Sequence, residues 1–115
     1  MTDKRVALVT CSSEEEASRI ARALVAERLA ACVNILESPV RSVYRWKGRV
    51  ETAMEHLLVI KTRRARLAAL EAAIKRLHSY DTPEIIALPI AAGSRRYLAW
   101  LDESVRPAPR RRRSS

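Results

Sequence analysis

Residues 31–62 read ACVNILESPVRSVYRWKGRVETAMEHLLVIKT, and this stretch decides the fold. From Ala31 the apolar residues recur with a period of two, which predicts a strand over 31–37 that Pro39 interrupts. Residues 40–47 resume the strand with Val40, Ser42, Tyr44 and Trp46 on one face. Lys47-Gly48 is a turn signal, and the chain returns as a strand over 49–62, ending in Leu57-Leu58-Val59-Ile60. Each arm of this hairpin has roughly 15 residues and spans ~45–50 Å if extended. A compact domain of this length has a radius of gyration of only ~13 Å. The hairpin therefore bends near Pro39 and projects beyond its own helices. The projecting part carries Val43, Tyr44, Trp46, Val50 and Met54, too apolar to stay bare, and its edges invite pairing. A closed homo-oligomer, with each hairpin docked on a neighbour, resolves both problems.

Working outward, residues 5–11 alternate as a strand, and Ser12-Ser13 stops it. Ser13 with Glu16 three residues on has the form of a capping box, and Glu14 and Glu15 suit the positive end of a helix dipole. Ala17, Ile20, Ala21, Leu24 and Val25 then follow at helical spacing, which predicts an amphipathic helix over 14–28. Leu67, Leu70, Ile74 and Leu77 mark a second helix. Residues 78–83 read as an irregular loop, and 84–90 as a last strand in which Pro89 demands an edge or a bulge. Gly93 and Ser94 introduce a short final helix carrying Tyr97, Leu98, Trp100 and Leu101. The order β-α-β-β-α-β plus a terminal helix is that of an α+β, ferredoxin-like sandwich: two helices covering one face of a four-stranded antiparallel sheet.

Composition narrows the function. The chain has 115 residues, 48% hydrophobic and 30% charged, the balance of one globular domain. No apolar run approaches the ~20 residues of a membrane helix, and Lys4-Arg5 leads into an apolar stretch without a small-residue cleavage site. These features predict a cytoplasmic protein with no membrane partner. The net charge is +9, but Arg106 and Arg110 to Arg113 supply five of the 22 basic residues, leaving 17 against 13 acidic ones elsewhere. The expected division is a folded domain over 1–105 and a disordered Arg/Pro-rich tail over 106–115, which touches nucleic acid only non-specifically. Cys11 and Cys32 cannot make a disulfide framework and lack zinc-finger spacing; Cys32 reads as a buried core thiol. With only Gly48 and Gly93 there is no glycine-rich phosphate cradle, and no hydrolase triad or paired metal carboxylates can be read, so catalysis is not expected.

Several blocks together resemble the CutA divalent-cation tolerance proteins. They are Val9-Thr10-Cys11, Ile20-Ala21, Leu24-Val25, Leu29 to Asn34, Ser42 to Gly48, Ile60-Lys61-Thr62, His78 to Ile86, Gly93 and Tyr97 to Trp100. The match is collinear from about residue 6 to 105. The resemblance implies a tight homotrimer with strands paired between subunits, and an association with tolerance to copper and other divalent cations. It also implies an architecture similar to the trimeric PII signalling proteins, which hold ligands in clefts between subunits. Two departures stand out: the family usually carries Pro after the first Cys and after the loop His, where this chain has Ser12 and Ser79. Loss of Pro predicts looser loops at both places.

Metal sites in the family draw on a Cys near the first strand and the loop His, which places Cys11 and His78 as metal ligands here. A neutral imidazole is a good copper ligand. The competing reading of His78 is a helix C-terminal histidine facing the dipole. Cys11, beside a helix N-terminus, has the setting of a thiol with a lowered pKa, against the alternative of a plain core residue. A second constellation comprises Tyr44, Trp46, Lys61, Tyr80, Glu84 and Trp100, read as an inter-subunit cleft for a small anionic ligand or a metal complex, against the alternative of interface core. His56 is expected to be exposed or at an interface. The leading expectation is thus a cytoplasmic homotrimer, linked to metal-ion response, that binds copper or another divalent cation weakly. The alternative is a PII-like signalling trimer that binds an anionic metabolite and docks on a protein partner. An RNA-binding module has the same element order, but the chain lacks Phe and the stacking aromatics.

Overall fold

The computed structural model describes residues 2–108. Five strands and three helices follow in the order β1 (Lys4–Cys11), α1 (Glu14–Ala26), β2 (Cys32–Ile35), β3 (Val40–Trp46), β4 (Arg49–Arg63), α2 (Leu67–Leu77), β5 (Ile85–Pro89) and α3 (Arg95–Ser104), with a 3-10 turn over Arg64–Arg66. All pairings are antiparallel, and the sheet runs β2-β4-β1-β5, with β3 added to the far end of β4. This is the split βαβ arrangement that the order of elements predicts. Pro89 sits on β5, an edge strand, where its missing N–H costs no ladder bond.

Ser13 caps α1: its side chain accepts from the Glu16 N–H at 3.1 Å. The helix ends two residues earlier than its apolar spacing suggests, because Arg28 takes a left-handed conformation (φ 60°) and turns the chain into β2. Lys47 (φ 49°) and Gly48 (φ 77°) form the two-residue β3–β4 turn, and two positive φ values match the right-handed twist of the strands. The predicted strand over 31–37 shortens to Cys32–Ile35, ahead of the break at Pro39.

One face of the sheet, with Ala7, Val9, Cys11, Leu58 and Ile60, packs on Ile20 and Leu24 of α1 and Leu70, Ala73 and Ile74 of α2. Burial of the Val, Leu and Ile side chains among them, each contributing ~1.5–3 kcal/mol, supplies most of the core's stabilisation. The other face is covered only at one end. There α3 seals a small cluster of Ala31, Leu101, Val105 and Ile90, and Asp102 bridges Lys4 and Arg63, each at 3.2 Å. Cys32 lies half-buried outside the main core, because it shares the opposite sheet face with its partner Lys61 while its neighbours Val33 and Ile35 face the core; this corrects its expected core position.

The β3–β4 hairpin projects as expected. The molecule measures 58 Å along its longest axis with a radius of gyration of 15.8 Å, and Val43, Trp46, Val50 and Met54 are half or more exposed at the far end. Of the expected tail, residues 109–115 lie outside the described residues. Arg106 is tied to the fold by Asp102 and by Arg28, which donates to its carbonyl.

Thr62 ties β4 to the turn after α1. It is fully buried and its hydroxyl donates to the Leu29 carbonyl at 2.7 Å. Thr62→Val keeps the volume and strands that carbonyl, so urea denaturation should show a loss of ~1–3 kcal/mol with an unchanged m-value.

Candidate functional site

The end of β1, the start of α1 and the end of α2 meet at one point. His78 follows the last residue of α2, and its N–H still bonds the Ile74 carbonyl at 2.8 Å while its backbone has turned extended. The imidazole points inward. Nε2 lies 2.8 Å from the Thr10 carbonyl, an acceptor, so Nε2 carries the proton and Nδ1 is left with a lone pair. That lone pair accepts from the Tyr80 N–H at 3.0 Å and faces Glu16 Oε1 at 3.6 Å. His78 is thus a buried, directed histidine at the C-cap of α2.

Glu16 is the residue whose role the sequence leaves unread. Its carboxylate does not close the capping box on the Ser13 N–H. It reaches instead to the Ser12 N–H (3.2 Å) and, through its other oxygen, to the Ser79 N–H (3.1 Å). The Ser12 and Ser79 hydroxyls also meet, at 3.3 Å. These are the two positions at which the resemblance leads to the expectation of looser loops. A proline at either has no N–H to give, so the expected loosening is replaced by a clasp: one buried carboxylate pins both loops.

Cys11, Glu16 and His78 bring their ligand atoms within 4.8 Å of one another, and all three are buried. Burial, reinforced by the Glu16 and Glu55 carboxylates, pushes the Cys11 thiol up to about 12. The expected lowering by the helix N-terminus is therefore reversed. Burial also acts to raise Glu16, but hydrogen bonds from Ser79 and Ser12 and the nearby His78 outweigh it and hold the carboxyl below its ordinary value. The set fits a metal in its chemistry: a thiol, a carboxylate and an imidazole whose second nitrogen is already fixed by a backbone carbonyl, the orientation found in metal-bound histidines. Against tight binding stand the thiol proton and the Tyr80 N–H, both of which an ion must displace.

A cavity of about 600 Å³ opens beside this cluster, where the hairpin leaves the sheet. Of the expected cleft residues it is lined by Tyr44, Trp46, Tyr80 and Glu84. Lys61 and Trp100 are not among its lining residues. Lys61 stands six positions beyond Glu55 on β4, ~20 Å along an extended strand, and its Nζ lies 3.9 Å from Cys32 Sγ. Trp100 is on α3, stacked obliquely on Tyr97 with ring centroids 5.4 Å apart. Within one chain the constellation is therefore divided. Glu55, absent from the expected set, does line the cavity; it shares a face with Tyr44 and Trp46 through the β3–β4 register. The period-two pattern that placed Tyr44 and Trp46 could have found it across the hairpin. His56 pairs with Cys11 in the ladder and is half-buried, with Nδ1 unpartnered among the described residues.

Sheet order, helices and buried cluster define an α+β domain of the ferredoxin-like kind with an extended hairpin. A family model described as "CutA1 divalent ion tolerance protein" matches residues 5–104, and the chain belongs to that family. The divalent-cation tolerance protein CutA of Thermus thermophilus is 52% identical over 101 residues, covering 88% of this chain and 97% of that protein. A solved structure of the Thermus protein superposes with a TM-score of 0.86 over 88% of this chain and 97% of its own. The chloroplastic protein CutA 1 of rice is 48% identical over 88% of this chain; the chain spans only 56% of that relative's length. The crystal structure of rice CutA1 gives a TM-score of 0.87 at 47% identity, covering 91% of this chain and 95% of that one. A structure from Archaeoglobus fulgidus, described as a periplasmic divalent cation tolerance protein, is 42% identical with a TM-score of 0.86, over 90% of this chain and 99% of that one.

Because the Glu16 carboxyl is held below 4.5, its bonds stabilise the fold fully above that pH and are lost as the pH falls through the lower folded-state value. Glu16→Gln should cost ~1–3 kcal/mol at pH 7. Denaturation at several pH values should show the gap to the parent narrowing steadily below pH 4.5.

Proposed function

We propose that the chain acts in the cytoplasm as a homotrimer that takes up copper or a related divalent cation weakly, in the service of metal-ion response. The observation that carries this reading is the convergence of Cys11, Glu16 and His78, with the histidine already oriented through Thr10. The names of its relatives as divalent-cation tolerance proteins support the same reading. Cys11 Sγ, a Glu16 oxygen and His78 Nδ1 would hold the ion, which when bound supplies a positive charge joining the end of β1 to the turn after α2. The chain's own part is preorganisation: Thr10 fixes the imidazole tautomer, and Ser12 and Ser79 aim the carboxylate. The proposed function is one of binding rather than turnover. No helix among the described residues is long and apolar enough to cross a membrane. The reading as a PII-like trimer for an anionic metabolite draws less support, since Lys61, the cation it needs, does not line the cavity of its own chain.

Native mass spectrometry with a modest excess of copper tests this. The parent should take up copper in whole-number steps, and His78→Ala should lose the uptake. Because the Cys11 thiol must give up its proton, apparent affinity should rise about tenfold per pH unit between pH 6 and 8. Equal uptake by His78→Ala, or uptake indifferent to pH, would contradict the assignment.

A further inference from the structure

The end of the molecule away from the hairpin gathers positive charge that its own acids do not balance. β4 carries the chain ~45 Å from the hairpin turn to Arg63. There Asp3, Asp102 and Glu103 are matched by Lys4, Arg63 and Arg106 in one ion-pair network. Arg28, Arg64 and Arg66 are gathered at the same end. The Arg64 N–H donates to the Asp3 carbonyl at 2.7 Å, Arg66 Nε to the Arg28 carbonyl at 3.4 Å, and Arg28 Nη2 to the Glu103 carbonyl at 3.0 Å. Among the described residues, none of these three guanidinium groups pairs with a carboxylate. Glu27, next to Arg28 in the chain, is taken by Arg76 at 3.3 Å. Bonds to main-chain oxygens position Arg28 and Arg66 without neutralising them, and leave most of their N–H donors open. Arg64 is exposed, and the first turn of α2, which it precedes, holds no acidic residue.

We infer that this end is a docking surface for the phosphate backbone of a duplex nucleic acid, bound without regard to sequence. The three surplus cations are all arginine, whose planar fork matches a phosphate with two parallel hydrogen bonds. The sequence supplies four more: the run Arg110 to Arg113 begins four residues past Arg106, within ~14 Å of covalent reach. Such cations displace the counterions condensed on a duplex, the main source of binding of this kind. No aromatic residue occurs in 26–30, 63–67 or 103–113, so the surface lacks the stacking platforms that single strands use. Leu29 and Val105, chain neighbours of Arg28 and Arg106, are buried, so no apolar side chain beside them is offered to a bilayer. The hairpin of a second copy is a poor occupant: its tip carries Arg45, Lys47 and Arg49, and like charges repel. The surface shares no residue with the metal reading and stands or falls separately.

Fluorescence anisotropy of a labelled, mixed-sequence DNA duplex, titrated with the full chain at several salt concentrations, tests this. Micromolar binding is expected at ~0.05 M salt, weakening steeply as the salt rises. Arg64→Gln combined with Arg66→Gln should weaken it at least tenfold and flatten the slope of log affinity against log salt by about two. Neither side chain pairs with an acid among the described residues, so the circular dichroism and the mass in solution should stay those of the parent. Replacing Arg110 to Arg113 by Gln should flatten the slope further and leave saturable binding in place. Absence of binding by the parent overturns the inference. So does an unchanged slope in the Arg64 and Arg66 variant, which would leave the terminal arginine run as the sole contact. Dissociation of the oligomer by that variant would make this end an interface between copies and overturn it too. Phosphatidylglycerol vesicles that bind the chain more tightly than the duplex, at matched phosphate concentration, would assign the surface to a membrane and overturn it as well.

Discussion

The structure depends on the length of one strand. β4 has 15 residues, and it gives its first half to β3 and its second half to β1 and β2. No helix among the described residues is placed to cover that first half: α1 and α2 pack where β1 and β4 run together, and α3 sits at the opposite end. The backbone of the hairpin is satisfied by its own ladder, but its side chains are not. Val43, Val50 and Met54 on one face, and Trp46 on the other, are apolar side chains that a lone chain leaves in water. The assembly of copies that we propose would cover them, and the motive for that proposal is strand length.

The same constraint builds the sites. Where β1 stops pairing, at Cys11 opposite His56, the hairpin continues and diverges from the body. The space left is filled by the turn after α2, which Glu16 clasps to the start of α1 through Ser12 and Ser79. On one side of that turn His78 is buried against Thr10; on the other Tyr80 reaches Glu55. The metal-capable cluster and the acidic cavity are thus neighbours, with Thr10 touching both. A soft donor set lies inside and a ring of carboxylates and aromatics outside.

Much of this is legible in the sequence, for local reasons. Period-two runs broken at Pro39 and Gly48, and 3.6-residue spacing after Ser13, depend on neighbours in the chain and define the elements almost residue by residue. Pro89 announces its edge strand. What the sequence conceals is set by long-range geometry. Glu16 has the spacing of a capping-box partner, and only the arrival of Ser79, 63 residues away, redirects it. Cys11 beside a helix N-terminus reads as an activated thiol, but complete burial beside two carboxylates reverses the sign. Residue type groups Lys61 and Trp100 with the hairpin aromatics; the register of β4 and the placement of α3 separate them within a chain.

The central claim is that the projecting hairpin is completed by other copies of the chain, and the mass of the protein in solution tests it most directly. Sedimentation equilibrium at low micromolar concentration should return three times the 13.0 kDa chain mass. A single species at the mass of one chain, with the hairpin tryptophan emitting as if in water, would contradict the account.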